Sequence, residues 1–443
     1  MSEGRQRGGA PAEPSAQAVP SGDDSMSARW LVLVESNTTG SGRLFCARAR
    51  ELGLRPVVLA RDPGRYPYLA IDRIDHRRTD TADPDAVLAA CTALAGLVAG
   101  VTSSSEYSIA TGGEVARRLG LPHPDPAAVR ACRDKPTQRA RLHEVGVPGA
   151  RFAAARSRAE AVAAAEAIGY PVVVKPVAGS GSIATRRCSD PESVEAAAAA
   201  VLSADPATLG LPPQEAVLVE EYLAGPEFSV ETFDDRAIGV TRKHLGPEPH
   251  FLETGHDFPA RLDPAARAAI AGTAVGALRA LGLGWGPAHV ELRHTATGPR
   301  IVEVNPRLAG GMIPRMVQAA TGIDLIRETV ARAAGLPGRP PAPPPERAAS
   351  IRFLVADAAG VLAEVRGVAE ARQVPGVVEV GLTREPGQEV VPRGSFQDRL
   401  GYVIAAGDDG EAVARAAQTG LQALKARIVP NGAATGPEPA VSR

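Results

Sequence analysis

The run His289-Val-Glu-Leu-Arg-His-Thr-Ala-Thr-Gly-Pro-Arg-Ile-Val-Glu-Val-Asn-Pro-Arg307 decides how this chain is read. Polar and apolar residues alternate from His289 to Arg293 and again from Arg300 to Asn305. Alternation with period two puts every second side chain on one face of a strand. Thr295 to Pro299, with Gly298 inside it, has the chemistry of a longer hairpin loop. A loop centred on Thr297 sets Glu291 directly opposite Glu303, with Asn305 one step along the same face. Val290, Leu292, Val302 and Val304 then point the other way, into a core. Two carboxylates facing each other across a strand pair repel. One of them acquires a raised pKa unless a positive group sits between them. A hard cation removes the conflict, and Mg²⁺ is typically held by one or two carboxylates together with substrate phosphates. The rival reading is the solvated face of an exposed hairpin, and the hairpin alone does not choose between the two.

The composition narrows the classes. A chain of 443 residues has room for about three domains at roughly 150 residues each. Apolar residues make up 44% and charged residues 22%, as in ordinary globular proteins. A net charge of −1 gives no reason to expect a nucleic acid or an anionic membrane as partner. No apolar run approaches the ~20 residues that span a bilayer, and no secretory h-region opens the chain. Cys46, Cys91, Cys132 and Cys188 are far apart and form no C-x-x-C, which favours a cytoplasmic protein with buried thiols over a disulfide framework.

Outward from the hairpin, the pattern divides the chain. Residues 1–28, rich in Gly, Pro, Ser and Ala, read as a disordered leader, with Met26 as an alternative start. Residues 29–130 read as a parallel, doubly wound sheet, with strands at Trp30–Val34, Pro56–Ala60 and Leu97–Val101 and a helix opened by Asp83-Pro84. Gly40 and Gly42 follow the first strand, but the third position of a dinucleotide fingerprint falls on Phe45, so that motif fails. Residues 131–336 form the middle unit, with a small lobe at about 140–220. In it, Ser157 and Ser189 open helices, and Tyr170–Pro176 is a strand carrying Lys175. Residues 216–233 read as two strands around Gly225-Pro226. The Pro-rich stretch 337–347 is a stiff linker, 348–429 a small α+β unit with a helix over 410–426, and 430–443 a disordered tail.

Several of these pieces suit a polyphosphate. Lys135 and Lys175 are point charges for phosphate oxygens, although either alone is more often a solvated charge. Gly179-Ser180-Gly181-Ser182 offers backbone N–H groups unblocked by side chains. There is no Walker motif.

In this order the features resemble the ATP-grasp superfamily over about residues 30 to 335: Lys135, Lys175 with its Gly/Ser loop, Glu220-Glu221-Tyr222-Leu223-x-Gly-x-Glu227, and Glu291…Glu303-x-Asn305 followed by Arg307. Within it the chain is most similar to the L-amino-acid ligases that make dipeptides. Glu35-Ser-Asn-Thr-Thr-Gly40, Glu253-Thr-Gly-His-Asp-Phe-Pro259, Asn305–Pro314 and Asp398–Ala405 carry that likeness. The resemblance implies an α/β protein, α+β in the ATP-grasp part. It would have an N-terminal parallel-sheet domain, a two-lobed ATP-grasp core and a small C-terminal α+β domain. It implies a ligase that joins a carboxylate to an amine through an acyl phosphate, releasing ADP and phosphate.

Carried over residue by residue, Glu220, Glu221, Tyr222 and Leu223 meet the adenine edge and Glu227 the ribose. Lys135, Lys175 and residues 179–182 hold the phosphates, and Glu291, Glu303 and Asn305 hold Mg²⁺, for which Mn²⁺ can substitute. Arg307, Lys175, His256 and Glu253 carry the catalysis, with Glu253 and His256 on a substrate loop. Arg307, Gly310, Gly311 and His256 bind the substrate. The implied partners are a small-molecule carboxylate and amine, with no nucleic acid or membrane, and the implied assembly is a homodimer. Two rivals stand beside this reading: an ATP-grasp ligase of another branch using a non-amino-acid carboxylate, and a nucleotide-binding regulatory module without turnover.

Overall fold

Alternation and apolar runs become four sheets in the computed structural model, which describes residues 28–37, 41–203, 213–338 and 347–430. The expected leader and tail, most of the Pro-rich linker, and Thr38-Thr39-Gly40 lie outside the described residues.

In the N-terminal unit β1 (Arg29–Val34), β2 (Arg55–Ala60), β3 (Asp75–Arg78) and β4 (Leu97–Thr102) form a parallel sheet in the order β3-β2-β1-β4. Leu31–Val34 and Val57–Ala60 are buried along their whole length, as strands covered on both faces must be. The strand at Leu97 is the fourth, not the third. Asp75–Arg78 was missed because all four of its residues are exposed and polar, so it shows no apolar period. Charge of this kind also protects a sheet edge from further pairing. The strand order reverses between β1 and β4, which opens a crevice at their carboxyl ends.

The small lobe holds an antiparallel sheet of β5 (Phe152–Ala155), β6 (Val172–Pro176), β7 (Arg186–Cys188) and β8 (Val217–Glu221), ordered β5-β8-β6-β7. Helices Arg158–Ile168 and Pro191–Leu202 cover it with small alanine-rich faces. Ser157 caps the first helix. The second is capped by Asp190 rather than Ser189, because only Asp190 and Ser193 form the reciprocal pair.

The remaining strands are β9 (Glu227–Phe233), β10 (Arg236–Leu245), β11 (Glu253–Phe258), β12 (Pro287–Thr295) and β13 (Gly298–Asn305), then β14 (Ala348–Val355), β15 (Gly360–Arg366), β16 (Val377–Leu382), β17 (Glu389–Val390), β18 (Arg399–Gly407) and β19 (Lys425–Val429). One eight-stranded sheet runs β13-β12-β9-β10-β11-β14-β18-β16. β8 and β9, neighbours across Gly225-Pro226, belong to different sheets, so this stretch joins the two lobes and is not a hairpin. The C-terminal strands extend the central sheet, with β14 antiparallel to β11. β15, β17 and β19 form a separate three-stranded sheet, and the C-terminal helix stops at Ala423 because β19 starts at Lys425. No described helix is long and apolar enough to cross a membrane.

The hairpin of β12 and β13 corrects its sequence reading in two compensating ways. Thr295 pairs with Gly298, so the turn is a tight two-residue one, with Gly298 at φ 104°. Glu291 pairs with Glu303 but Leu292 with Ile301, which leaves Val302 bulged out of register. The short turn and the extra residue cancel, and the two glutamates still face each other. Val302 does not enter the core; Ile301 does, fully buried against Phe228, Val290 and Leu292 and the long helix Pro264–Ala280. Burying an Ile side chain is worth roughly 1.5–3 kcal/mol, against about 0.5–1.5 kcal/mol for a ladder hydrogen bond given up at the bulge.

Candidate active site

The hairpin, the small lobe and the Gly/Ser loop enclose one cleft, lined by Lys135, Lys175, residues 179–183, Glu220–Leu223, Glu227, Glu253, Glu291, Val302 and Glu303. Of the residues expected at the nucleotide and the metal, it gathers all but Asn305. Asn305 lines an adjoining recess with Glu303, Arg307 and Glu106.

The repulsion between the paired carboxylates is relieved by separate cations. Glu303 lies 3.0 Å from Lys135 Nζ. Glu291 lies 3.0 Å from Lys243 Nζ and 3.0 Å from His289 Nε2. Burial drives the Glu291 carboxyl upward, but Lys243 and His289 more than reverse this and hold it well below the usual carboxylate range. His289 shares Glu231 on its other side at 3.0 Å; burial opposes its charge, yet the two glutamates raise it to about 9. The donors suit a hard cation. Glu291 and Glu303 are two facing carboxylates, and the side-chain amide of buried Asn305 has an oxygen that can serve as a third hard donor. Among the described residues no three His, Cys, Asp or Glu side chains form a cage by themselves.

At the lysine end of the cleft, Lys135 opens the helix Lys135–Glu144, where Asp134 caps the N-terminus. Its Nζ also donates to Gly179 O at 2.8 Å, tying the helix to the loop. Lys175, on β6, pairs with Glu220 on β8, and Arg139 holds the other Glu220 oxygen at 2.7 Å. Burial pushes Glu220 up, but Arg139 and Lys175 bring it down to about 2. The loop takes backbone angles that favour glycine, with φ 146° at Gly179 and 68° at Gly181, and Ser182 follows at 59°. Farther along, Glu221 pairs with Arg300, Tyr222 Oη donates to Glu248 at 2.7 Å, and Arg293 donates to Leu223 O at 2.9 Å and Glu227 at 3.1 Å.

At the other end, Glu253 and His256 lie on β11, not on a loop. Period two along Glu253–Phe258 is weak, since Gly255 and His256 are both buried, so the sequence hid the strand. His256 is fully buried and neither ring nitrogen has a hydrogen-bond partner among the described residues. Burial drives its pKa down to about 3, so the ring is neutral at pH 7. Glu253 meets Lys243 at 2.6 Å and Arg399 at 2.6 Å. Gly311 sits at φ 57°, where a Cβ would stand 3.0 Å from His256 Nε2 and 3.2 Å from Arg399 Nη1. Gly310, with nothing within 4 Å of its Cβ position, is the open one of the pair. Arg307 is bound to Glu106 at 2.6 Å. Burial raises Glu106, but Arg307 reverses this, and Ser180 and Arg133 help bring it to about 2.

Lys243, Glu106, Arg139, Arg293, Arg399 and the Glu231–His289 pair were not singled out from sequence. Two had a signal. Glu106 follows Ser103-Ser-Ser105 at the carboxyl end of β4, beside the strand-order reversal where parallel sheets bind ligands. Lys243, two residues on from Thr241, falls on the face of its strand opposite Val240, away from the apolar core.

Known proteins resemble the chain over the regions that form the cleft and over the C-terminal strands. Residues 168–315 match the ATP-grasp domain model, and residues 352–429 match L-amino acid ligase C-terminal domain 2. The chain is 39% identical over 381 residues to the uncharacterized protein y4rH of Sinorhizobium fredii, covering 85% of this chain and 78% of that protein. It is 31% identical over 321 residues to carnosine synthase 1 of Gallus gallus, covering 68% of this chain and 34% of that protein. The chain thus spans about a third of that synthase's length. The L-amino acid ligase crystal structure from Bacillus licheniformis superposes with a TM-score of 0.74 at 22% identity, over 91% of this chain and 99% of that one.

Proposed function

The chain belongs to the ATP-grasp family of carboxylate–amine ligases, and from that premise we propose that it forms an amide bond between an amino acid carboxylate and an amine. The observation that carries this is the single cleft in which the facing Glu291 and Glu303, Lys135, Lys175 and the Gly/Ser loop meet Glu253. Phosphoryl transfer is catalysed mainly by positioning and by neutralising charge on phosphate oxygens, and one end of the cleft has the groups for it. Lys135 and Lys175 hold the distal phosphates, the backbone of residues 179–182 covers them, and the segment Glu220–Leu223 with Glu227 takes the nucleoside. Glu291, Glu303 and Asn305 would hold Mg²⁺, which would supply charge neutralisation at the transferring phosphoryl group.

The substrate carboxylate oxygen attacks the γ-phosphorus and ADP leaves. The amine then attacks the acyl carbon, phosphate leaves with the C–O electron pair, and the nitrogen loses a proton. Arg307 balances charge at the acyl phosphate. Neutral His256 stands behind Glu253 at 3.6 Å, with neither ring nitrogen hydrogen-bonded among the described residues. The test offers amino acids singly and in pairs with ATP and Mg²⁺, then replaces the amine with hydroxylamine. Amino-acid-dependent ADP release and a hydroxamate formed with ADP and phosphate are expected; AMP and pyrophosphate would refute the phosphoryl path.

A further inference from the structure

A carboxylate on a cleft wall presents a fixed face only if both oxygens are anchored. In Glu253 they are anchored by different units of the chain. Lys243, on β10 of the central unit, takes Oε1 at 2.6 Å. Arg399, on β18 of the C-terminal unit, takes Oε2 at 2.6 Å. Arg399 also donates to the Glu253 backbone carbonyl, through Nε at 3.2 Å and Nη2 at 3.0 Å, so it clamps main chain and side chain together. Its own guanidinium is fixed from below, with its central carbon 3.8 Å from the centroid of the Phe353 ring. Phe353, on β14, also stands edge-on to His256 with centroids 5.5 Å apart. Glu253 lines the cleft, and Arg399 and Phe353 stand behind it.

We propose that Arg399 is a positioning residue for the substrate end of the cleft: through Glu253 it sets how tightly the amino acid substrate is held, without acting on the nucleotide. The proposal rests on the ligase reading above. Its specificity comes from what each cation touches. Lys243 also meets Glu227 at 3.2 Å and Glu291 at 3.0 Å, so its loss disturbs the nucleoside and metal residues as well. Arg399 has Glu253 as its one carboxylate partner among the described residues. A lysine cannot replace it fully, because one ammonium does not reproduce a planar fork stacked on an aromatic ring.

The experiment compares the full-length wild type with Arg399→Met, Arg399→Lys and Lys243→Met, measuring KM separately for ATP and for the amino acid by ADP release. Losing a charged hydrogen-bonded clamp predicts about a 10- to 100-fold rise in amino acid KM for Arg399→Met, with the ATP value within about twofold. Arg399→Lys recovers part of the loss, and Lys243→Met raises both values. Should Arg399→Met fail to melt cooperatively, Arg399→Lys and Phe353→Leu carry the test, each predicting the same one-sided shift at smaller size. An unchanged amino acid KM, or equal rises for both substrates, would overturn the proposal. A wild type with no amino-acid-dependent ADP release would instead overturn the ligase reading.

Discussion

The two ends of the cleft hold their charges differently. At the phosphate end the partners are local: Glu220 with Arg139 and Lys175, and Glu303 with Lys135, all between residues 135 and 303. At the substrate end the partners come from the whole chain. Glu106 arrives from the N-terminal sheet, Lys243 and Glu253 from the central sheet, and Arg399 from the C-terminal strands. The ion pairs of the phosphate end thus all lie within residues 135–303, whereas those of the substrate end draw on residues from Glu106 to Arg399. Buried ion pairs gain little net stability, because desolvation offsets their attraction, but breaking one by removing a partner is strongly destabilising. Arranged this way, they tie the docking of units to the shape of the site.

The largest effect should come from the phosphate end. Glu303→Gln keeps size and burial but removes one of the two facing charges. We expect turnover to fall on the order of a hundredfold or more, because charge neutralisation at the phosphoryl group is lost. Folding should persist, since Lys135 keeps its bond to Gly179 O at 2.8 Å. Near-wild-type turnover in Glu303→Gln would remove the metal assignment and leave the two ends chemically indistinct.

A smaller effect tests whether the substrate end reports docking. Glu106 stands at about 2 in the folded protein against an ordinary 4.5. A depressed carboxylate contributes stability above its unfolded value, and that contribution is lost as pH falls through the folded one. The shift corresponds to at most about 3 kcal/mol, present above pH ~4.5 and gone by pH ~2. Glu106→Gln should thus be less stable than wild type at pH 6, with the gap closing on acidification over that window. Denaturant midpoints measured against pH check this, and a gap independent of pH would show that the Glu106–Arg307 pair does not tie the N-terminal unit to the site.

The same contrast explains what was legible in the sequence. The phosphate end is written in local spacing: a lysine at a strand end, a Gly/Ser loop a few residues on, and Glu-x-Asn after an alternating hairpin. The substrate end depends on which strands become neighbours. Lys243 and Glu291 are adjacent in space because β9 lies between β10 and β12 in the sheet, and no spacing in the chain records that order. Arg399 reaches Glu253 because β14 continues the central sheet from β11 and β18 follows it. The strands missed were β3, exposed along its length, β11, whose adjacent buried Gly255 and His256 blur its period, and the short or mixed strands β5, β15, β17 and β19, none of which has a clean apolar period. The hairpin register survived for a different reason, since the tight turn and the Val302 bulge shift it in opposite senses.

The smallest effect concerns the loop over the phosphate end. Residues 179–182 have little side-chain mass of their own to pack, so what holds them must come from neighbours. Lys135 holds Gly179 from below. From above, Phe396 of the C-terminal unit lies against Gly181, leaving no room there for a Cβ, and its N–H donates to Gly181 O at 3.5 Å. Ser180 steadies the charged form of Glu106. The loop is thus touched by all three units, and Phe396 is the contact that carries apolar area. Phe396→Ala removes that area but keeps the backbone bond, so the loop should open more often without losing its closed form. We expect hydrogen exchange over residues 178–184 to quicken about tenfold without nucleotide, equivalent to ~1.4 kcal/mol of lost protection. Saturating ATP and Mg²⁺ should restore much of that protection, because phosphates supply the partners that the ring no longer does. The ATP KM should rise only a few-fold, and the amino acid KM should stay near wild type, since Glu253 keeps both its cations. Exchange that is unchanged in Phe396→Ala would mean that Lys135 alone holds the loop, and the C-terminal unit would then govern the substrate end without touching the phosphate end.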